Sequence, residues 1–236
     1  MTAIRIAARY NGPPGSANGG YACGAFAVAT GADVSVRLLA PPPLETPLEV
    51  VRLDDGTWSL RDGDTAIATA RPGRLELESP TPPAWVGTVW ASQHYPGFAH
   101  HPFPDCYVCG PHRRRGDGLR IFPGALDSGL WAAPWLPADD LDGGDGKVAV
   151  EYHWAALDCP GYFAVSAGRR PMLLGEMHAH VDRRVHVGEP CTVVAWKIAV
   201  EGRRYVAGTA LYDEDGEPCG RAIATWIELT TRSAGT

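Results

Sequence analysis

One octapeptide occurs twice in this chain. Gly24-Ala-Phe-Ala-Val-Ala-Thr-Gly31 returns, with conservative changes, as Gly161-Tyr-Phe-Ala-Val-Ser-Ala-Gly168. Two further anchors recur in the same order. Glu45-Thr-Pro-Leu-Glu-Val-Val51 parallels Gly188-Glu-Pro-Cys-Thr-Val-Val194, and Ala66-Ile-Ala-Thr-Ala70 parallels Ala222-Ile-Ala-Thr-Trp226. The offset grows from anchor to anchor, so insertions fall in loops of the second copy. Three matches in register order point to duplication. The repeating unit reads as a short apolar helix followed by an antiparallel meander. A sheet with one apolar face needs a partner, and a helix wrapped by the sheet is an α+β solution.

The local signals fit that unit. Tyr21 to Thr30 is a buried helix of about three turns, with Asn18 placed to cap its start and Gly31 its end. Strands are expected at 3–10, 34–39, 48–53, 58–60, 65–70, 118–122, 129–134, 176–181, 191–200, 204–212 and 222–229. Asp54-Asp-Gly56, Arg61-Asp-Gly63 and Asp213-Glu-Asp-Gly216 read as hairpin turns. Residues 71–105 are crowded with proline and carry Trp85, Trp90 and Phe98. The expected organisation is an N-terminal half over 1–79, a Pro- and Trp-containing linker over 80–105, and a C-terminal half over 106–236.

Composition narrows the function classes. Of 236 residues, 45% are hydrophobic and 20% charged, which reads as globular. A net charge of −6 argues against a nucleic-acid partner. No apolar run reaches the ~18 residues of a membrane span, and Met1 to Ile6 does not resemble a signal peptide. The expectation is a cytoplasmic protein whose six cysteines are thiols.

Asp158 is the acid that packing does not explain. It stands in an otherwise apolar stretch, and only the second copy has it. Partial desolvation would raise its pKa toward the range of a general base. Helix capping is the alternative, and Pro160 favours it, because proline belongs in a first helical turn. Asn18, Gly19 and Gly20 open the other helix, where free N–H groups suit a developing oxyanion. Glu151, His153, Glu176 and His178 are nearby polar candidates, and each also has a plain structural reading. Cys106 and Cys109, with His100, His101 or His112 near, invite a zinc reading. A closed site needs four ligands and there is no second C-x-x-C, so no metal is assigned. The run His112-Arg-Arg-Arg115 is a solvated face or a phosphate contact.

These features together resemble the double-hotdog acyl-CoA thioesterases. Asn18-Gly-Gly-Tyr21 is similar to the His-Gly-Gly-Tyr that opens their first helix, with Asn in place of His. Cys106-Tyr-Val-Cys-Gly110 followed by Gly118-Leu119 resembles the opening of small phenylacetate-type hotdog thioesterases, and Ala156-Leu-Asp158 resembles the Leu-Leu-Asp of their central helix. The resemblance implies a tandem (double) hotdog fold, two antiparallel sheets each wrapped around a central helix. It implies hydrolysis of an acyl-CoA or related small-molecule thioester, with coenzyme A entering only as part of the substrate and no cofactor. Asp158, Asn18, Gly19 and Gly20 would be catalytic. Tyr21, Glu151, His153, Glu176, His178 and Trp226 would meet substrate. The family's Thr and Gln fall on Leu174 and Trp226, which carry no side-chain oxygen. That departure keeps open a non-catalytic acyl or aromatic ligand binder. Self-association into a homo-oligomer is left open.

Overall fold

The computed structural model describes residues 2–168 and 170–230. The first half contains β1 (Thr2–Arg5), α1 (Gly19–Thr30), β2 (Val34–Leu38), β3 (Pro47–Arg52), β4 (Trp58–Asp62) and β5 (Thr65–Pro72). The 80–105 span carries α2 (Trp85–Gln93), which packs on the edge strands of the second half. There follow β6 (Gly124–Ala125), β7 (Trp131–Trp135), α3 (Val150–Ala156), α4 (Cys159–Ser166), β8 (Met172–Val181), β9 (Cys191–Glu201), β10 (Arg204–Tyr212) and β11 (Pro218–Glu228).

All eleven strands form one sheet, in the order β1-β3-β4-β5-β2-β8-β11-β10-β9-β7-β6. Without β6 the order is a palindrome: β1, β3, β4, β5 and β2 answer β7, β9, β10, β11 and β8. The repeat anchors follow it. The first lies on β3 and β9 or just before them, and the second lies on β5 and β11. The expectation of two separate sheets is corrected here. Ser35, Val36 and Arg37 of β2 pair antiparallel with His178, Met177 and Glu176 of β8, and this joins the halves edge to edge. The pairing uses backbone groups that two isolated sheets would leave as unpaired edges. Side chains reinforce the seam. The Ser35 hydroxyl donates to Glu176 Oε1 at 2.9 Å, and His178 Nε2 lies 2.9 Å from Asp33 Oδ1.

The helices lie against the sheet, and α1 packs on α3. Asn18 caps α1 by accepting the Tyr21 N–H at 2.9 Å, and Gly31 closes it in the left-handed conformation (φ 67°). The counterpart in the second copy is broken. α3 ends at Ala156, Asp158 takes the N-cap position of α4, and Pro160 sits in the first turn of α4, where a missing N–H costs nothing. One continuous apolar core runs through both halves. Among the described residues no helix is long and apolar enough to cross a membrane.

Two expected strands differ. The strand from residue 3 ends at Arg5, because Glu45 turns the chain: its carboxylate accepts from Arg5 and from the Ala8 N–H. Residues 118–122 form no strand. Arg120 has φ 54°, and the Leu119 and Ile121 N–H groups go to the carbonyls of Tyr107 and Val108 instead of to the sheet.

The α1–α3 contact depends on Gly24. A Cβ there would stand 2.7 Å from the Trp154 Cβ and 2.9 Å from the Glu151 Cα. Gly24→Ala is expected to destabilise the fold by about 1–3 kcal/mol through overpacking, despite alanine's better helix propensity. Urea unfolding measures this, and an unchanged midpoint would show that the two helices separate freely.

Candidate functional site

A cavity of about 330 Å³ lies between the halves. The first half supplies Gly12 to Pro14, Ser16 to Gly19 and Leu38 to Pro42 to its wall. The 80–105 span supplies His101 and Phe103, and the second half supplies Cys106, Cys109, Asp158, Cys159, Tyr162, Met172 to Gly175, Trp226, Ile227 and Leu229. Most of the lining is apolar, and the polar groups gather at the two helix starts.

Asp158 is brought there by the break between α3 and α4. It is 1% exposed. Its Oδ2 accepts two hydrogen bonds from the other half, from Asn18 Nδ2 and from the Gly20 N–H, each at 2.9 Å. Its Oδ1 is buried without a partner among the described residues. Although it occupies the N-cap position, its side chain makes no capping bond to α4. Burial pushes its carboxyl up to about 7, and the Cys106 sulfur adds to this. The Gly20 and Asn18 donors oppose it.

The helix-start donors are therefore mostly engaged. The Gly20 N–H is spent on Asp158, the Tyr21 N–H on the Asn18 cap, and the Asn18 N–H on the Tyr10 carbonyl at 2.7 Å. This corrects the expectation of three donors for an oxyanion. The Gly19 N–H alone has no partner among the described residues, and Gly19 lines the cavity. Gly20 is glycine because a Cβ would fall 2.3 Å from the Asp158 Cβ and 2.8 Å from the Trp154 carbonyl oxygen.

Of the other expected substrate contacts, only Trp226 reaches the cavity. It pairs in register with Leu174, which is also on the wall, and its buried Nε1 has no partner among the described residues. Tyr21 instead stacks on Tyr10, with ring centroids 4.0 Å apart, beside Tyr107 and Tyr152. Glu151 faces α1. Glu176 and His178 belong to the β2–β8 seam. His153 is wholly buried. Its Nδ1 lies 3.1 Å from the Ala149 carbonyl oxygen, and its Nε2 accepts the Val185 N–H at 3.1 Å. The basic run lies off the cavity. Arg113 is committed to Asp117, to the carbonyls of Arg9 and Asp105, and to the Asn11 side chain.

The sequence brings Cys106, Cys109 and His101 together as candidates but does not reveal Cys159 beside them. Cys106, Cys109 and Cys159 place their Sγ atoms within 4.8 Å of one another, and His101 Nε2 is 3.3 Å from Cys109 Sγ. All six cysteines are free and buried, as expected of thiols. Hydrogen bonds from Cys109 and Cys159, and from the peptide N–H groups of Cys109 and Val108, hold the Cys106 thiol below its ordinary range. Burial and then the Cys106 sulfur push Cys109 up against Cys159, and the Cys106 and Cys109 sulfurs, then burial, push Cys159 up. C-x-x-C was a visible signal. The third cysteine, far along the chain, was not.

No family model matches the sequence, and no curated protein sequence does. Solved structures do match. The TesB protein of Mycobacterium avium subsp. paratuberculosis superposes with a TM-score of 0.62 over 97% of this chain and 92% of its own, at 13% identity. The chain has the hotdog fold. Two further structures match about half of it. A thioesterase superfamily protein does so at 18% identity and TM-score 0.46 (51% of this chain, 61% of that one). The Escherichia coli PaaI protein from the phenylacetic acid degradation operon does so at 11% identity and TM-score 0.44 (48% and 81%).

His153 sets a pH limit on the fold. Burial holds its pKa down at about 4, helped by Arg184 and Arg183, while the Ala149 carbonyl and Glu189 pull the other way. The unfolded imidazole titrates near 6.5. Between those values the unfolded chain binds the proton and the folded chain does not. The contribution is complete above pH ~6.5 and is lost as pH falls toward ~4, at most about 3 kcal/mol. His153→Asn is expected to lower stability at neutral pH and to flatten that slope. Denaturation between pH 4 and 7 checks it, and parallel slopes for the two proteins would exclude it.

Proposed function

We propose that this protein is a tandem hotdog thioester hydrolase acting on an acyl-CoA or a related small-molecule thioester. The observation that carries the reading is the cavity joining Gly19 of one half to Asp158 of the other. Two residues of its wall, Asp158 and Trp226, each keep a buried polar atom, Oδ1 and Nε1, without a partner among the described residues. Buried polar atoms are nearly always paired, so orphans on a cavity wall suit a ligand. The acyl chain would lie along the Leu38, Leu39, Met172 and Leu174 side.

The chemistry follows from which atoms are free. Asp158 Oδ2 is saturated by Asn18 and Gly20, which fixes the carboxylate and leaves Oδ1 to act. In the proposed step a water oxygen bonds to the thioester carbonyl carbon and gives its proton to Oδ1. The carbonyl oxygen takes the developing charge and meets the Gly19 N–H at the positive end of α1. Collapse of the intermediate breaks the C–S bond, and the proton held on Asp158 passes to the leaving thiolate. The second reading is a ligand binder without turnover. It is favoured by Leu174 and Trp226, which occupy the register where the resemblance puts Thr and Gln and can orient no water through a side-chain oxygen.

Asp158→Asn separates the two. The amide oxygen can still accept from Asn18 and Gly20, so the fold is retained, but the base is gone. Turnover of an acyl-CoA panel, followed by loss of thioester absorbance, is expected to fall about 10²–10⁴-fold with little change in melting temperature. Tight binding without turnover by the unaltered protein on every acyl chain would establish the binder. Full activity in the variant would remove Asp158 from the chemistry.

A further inference from the structure

The thiol cluster stands apart from the thioester reading. Cys106 and Cys109 lie on one turn, and Cys159 is the first residue of α4, 53 residues further on from Cys106. The Cys106 and Cys159 sulfurs are 3.8 Å apart. A tetrahedral zinc with Zn–S bonds of about 2.3 Å has an S···S edge of about 3.8 Å. The corresponding N···S edge is about 3.5 Å, and His101 Nε2 stands 3.3 Å from Cys109 Sγ.

The turn is also built as a metal turn would be. The peptide N–H groups of Val108 and Cys109 face the Cys106 sulfur. Gly110 follows, where a Cβ would meet the Cys106 N and O and the Pro104 O at 2.5 Å each, so no other residue lets the chain fold back this tightly. The Leu119 and Ile121 N–H groups hold the turn from outside through the Tyr107 and Val108 carbonyls. Asn18 Nδ2 lies 3.9 Å from Cys106 Sγ and 3.7 Å from Cys159 Sγ, a donor placed for sulfurs that carry negative charge.

We propose that Cys106, Cys109 and Cys159, whose sulfurs lie within 4.8 Å of one another, are three ligands of a structural zinc ion that pins the Cys106–Gly110 turn to the start of α4, and that His101, which stands beside Cys109 and outside that group, turns in to supply Nε2 as the fourth. Three soft thiolates and one imidazole in a tetrahedron suit zinc above the harder divalent ions. Binding forms three Zn–S bonds and one Zn–N bond, and releases to solvent each thiol proton still held. His101 must also change tautomer. Its Nδ1 accepts the Phe103 N–H at 2.9 Å, so the ring proton sits on Nε2. Ligation moves that proton to Nδ1 and gives up the Phe103 bond. Four protein ligands leave no open position, so the ion holds structure and does not polarise substrate.

The full chain, purified under reducing conditions in the presence of zinc, is expected to carry one zinc by elemental analysis. A mercurial thiol reagent should release it stoichiometrically. Zinc-edge X-ray absorption should count three sulfur and one nitrogen neighbour. Chelation should lower the melting temperature, and added zinc should restore it. Cys159→Ser is expected to lose stoichiometric zinc. Because that variant can fail to fold, cobalt(II) titration of the metal-free unaltered chain is the second measurement. Tetrahedral thiolate absorption saturating at one equivalent supports the site. No retained zinc and no such cobalt spectrum would overturn the proposal, as would a count of two or fewer sulfur neighbours. Full zinc retention in His101→Ala, with an unchanged spectrum, would overturn the assignment of the fourth ligand.

Discussion

A single buried carboxylate oxygen holds the centre of this molecule. Asp158 Oδ2 takes the Asn18 amide and the Gly20 N–H, both from the other half of the chain. Burying a charge or a carboxyl without partners is costly, and here both partners are supplied by one helix start. The bond fixes three things together: the entry of α1, the break between α3 and α4, and the free face of the carboxylate. Gly20 is glycine because the Asp158 side chain occupies the space a Cβ would need. The same contact therefore sets the sequence at both of its ends.

The two copies share a topology and differ where they meet the cavity. The first copy keeps one helix, Gly19–Thr30, capped by Asn18. The second interrupts the equivalent run at Leu157–Asp158, and Pro160 suits a restart but not a continuation. A uniform duplicate would place the same group on both sides of the pseudo-symmetry. The interruption gives one side a donor-rich helix start and the other an acid. The chemistry open to the cavity depends on that inequality.

The repeat made the strand correspondence legible, and the Asn18 and Gly31 caps made α1 legible, because both are local signals. Asp158 stood out because an acid in an apolar stretch is conspicuous. Partners supplied from far along the chain were not legible. Glu176 and His178 read as site candidates because they are polar on a strand, yet their partners Ser35 and Asp33 lie 141 and 145 residues away. His153 read as a candidate substrate contact, and it is instead buried and held by the peptide groups of Ala149 and Val185. The 118–122 strand failed for a related reason. Its N–H groups found the C-x-x-C turn, and a positive φ at Arg120 ended any regular pairing.

Asn18 connects the two polar clusters on the cavity wall. One amide nitrogen lies 2.9 Å from the Asp158 carboxylate and within 3.9 Å of two cysteine sulfurs, while its oxygen caps α1. An amide has two donor hydrogens. One is directed to the carboxylate, which leaves the other for sulfur. Any shift of the thiols is therefore felt at the carboxylate through a single planar group, and Cys159 adjoins Asp158 in the backbone as well. A histidine at this position would have no second donor on the same nitrogen and could not bridge in this way. Asparagine at position 18 and the gathering of three cysteines beside it thus read as one joint feature of this cavity.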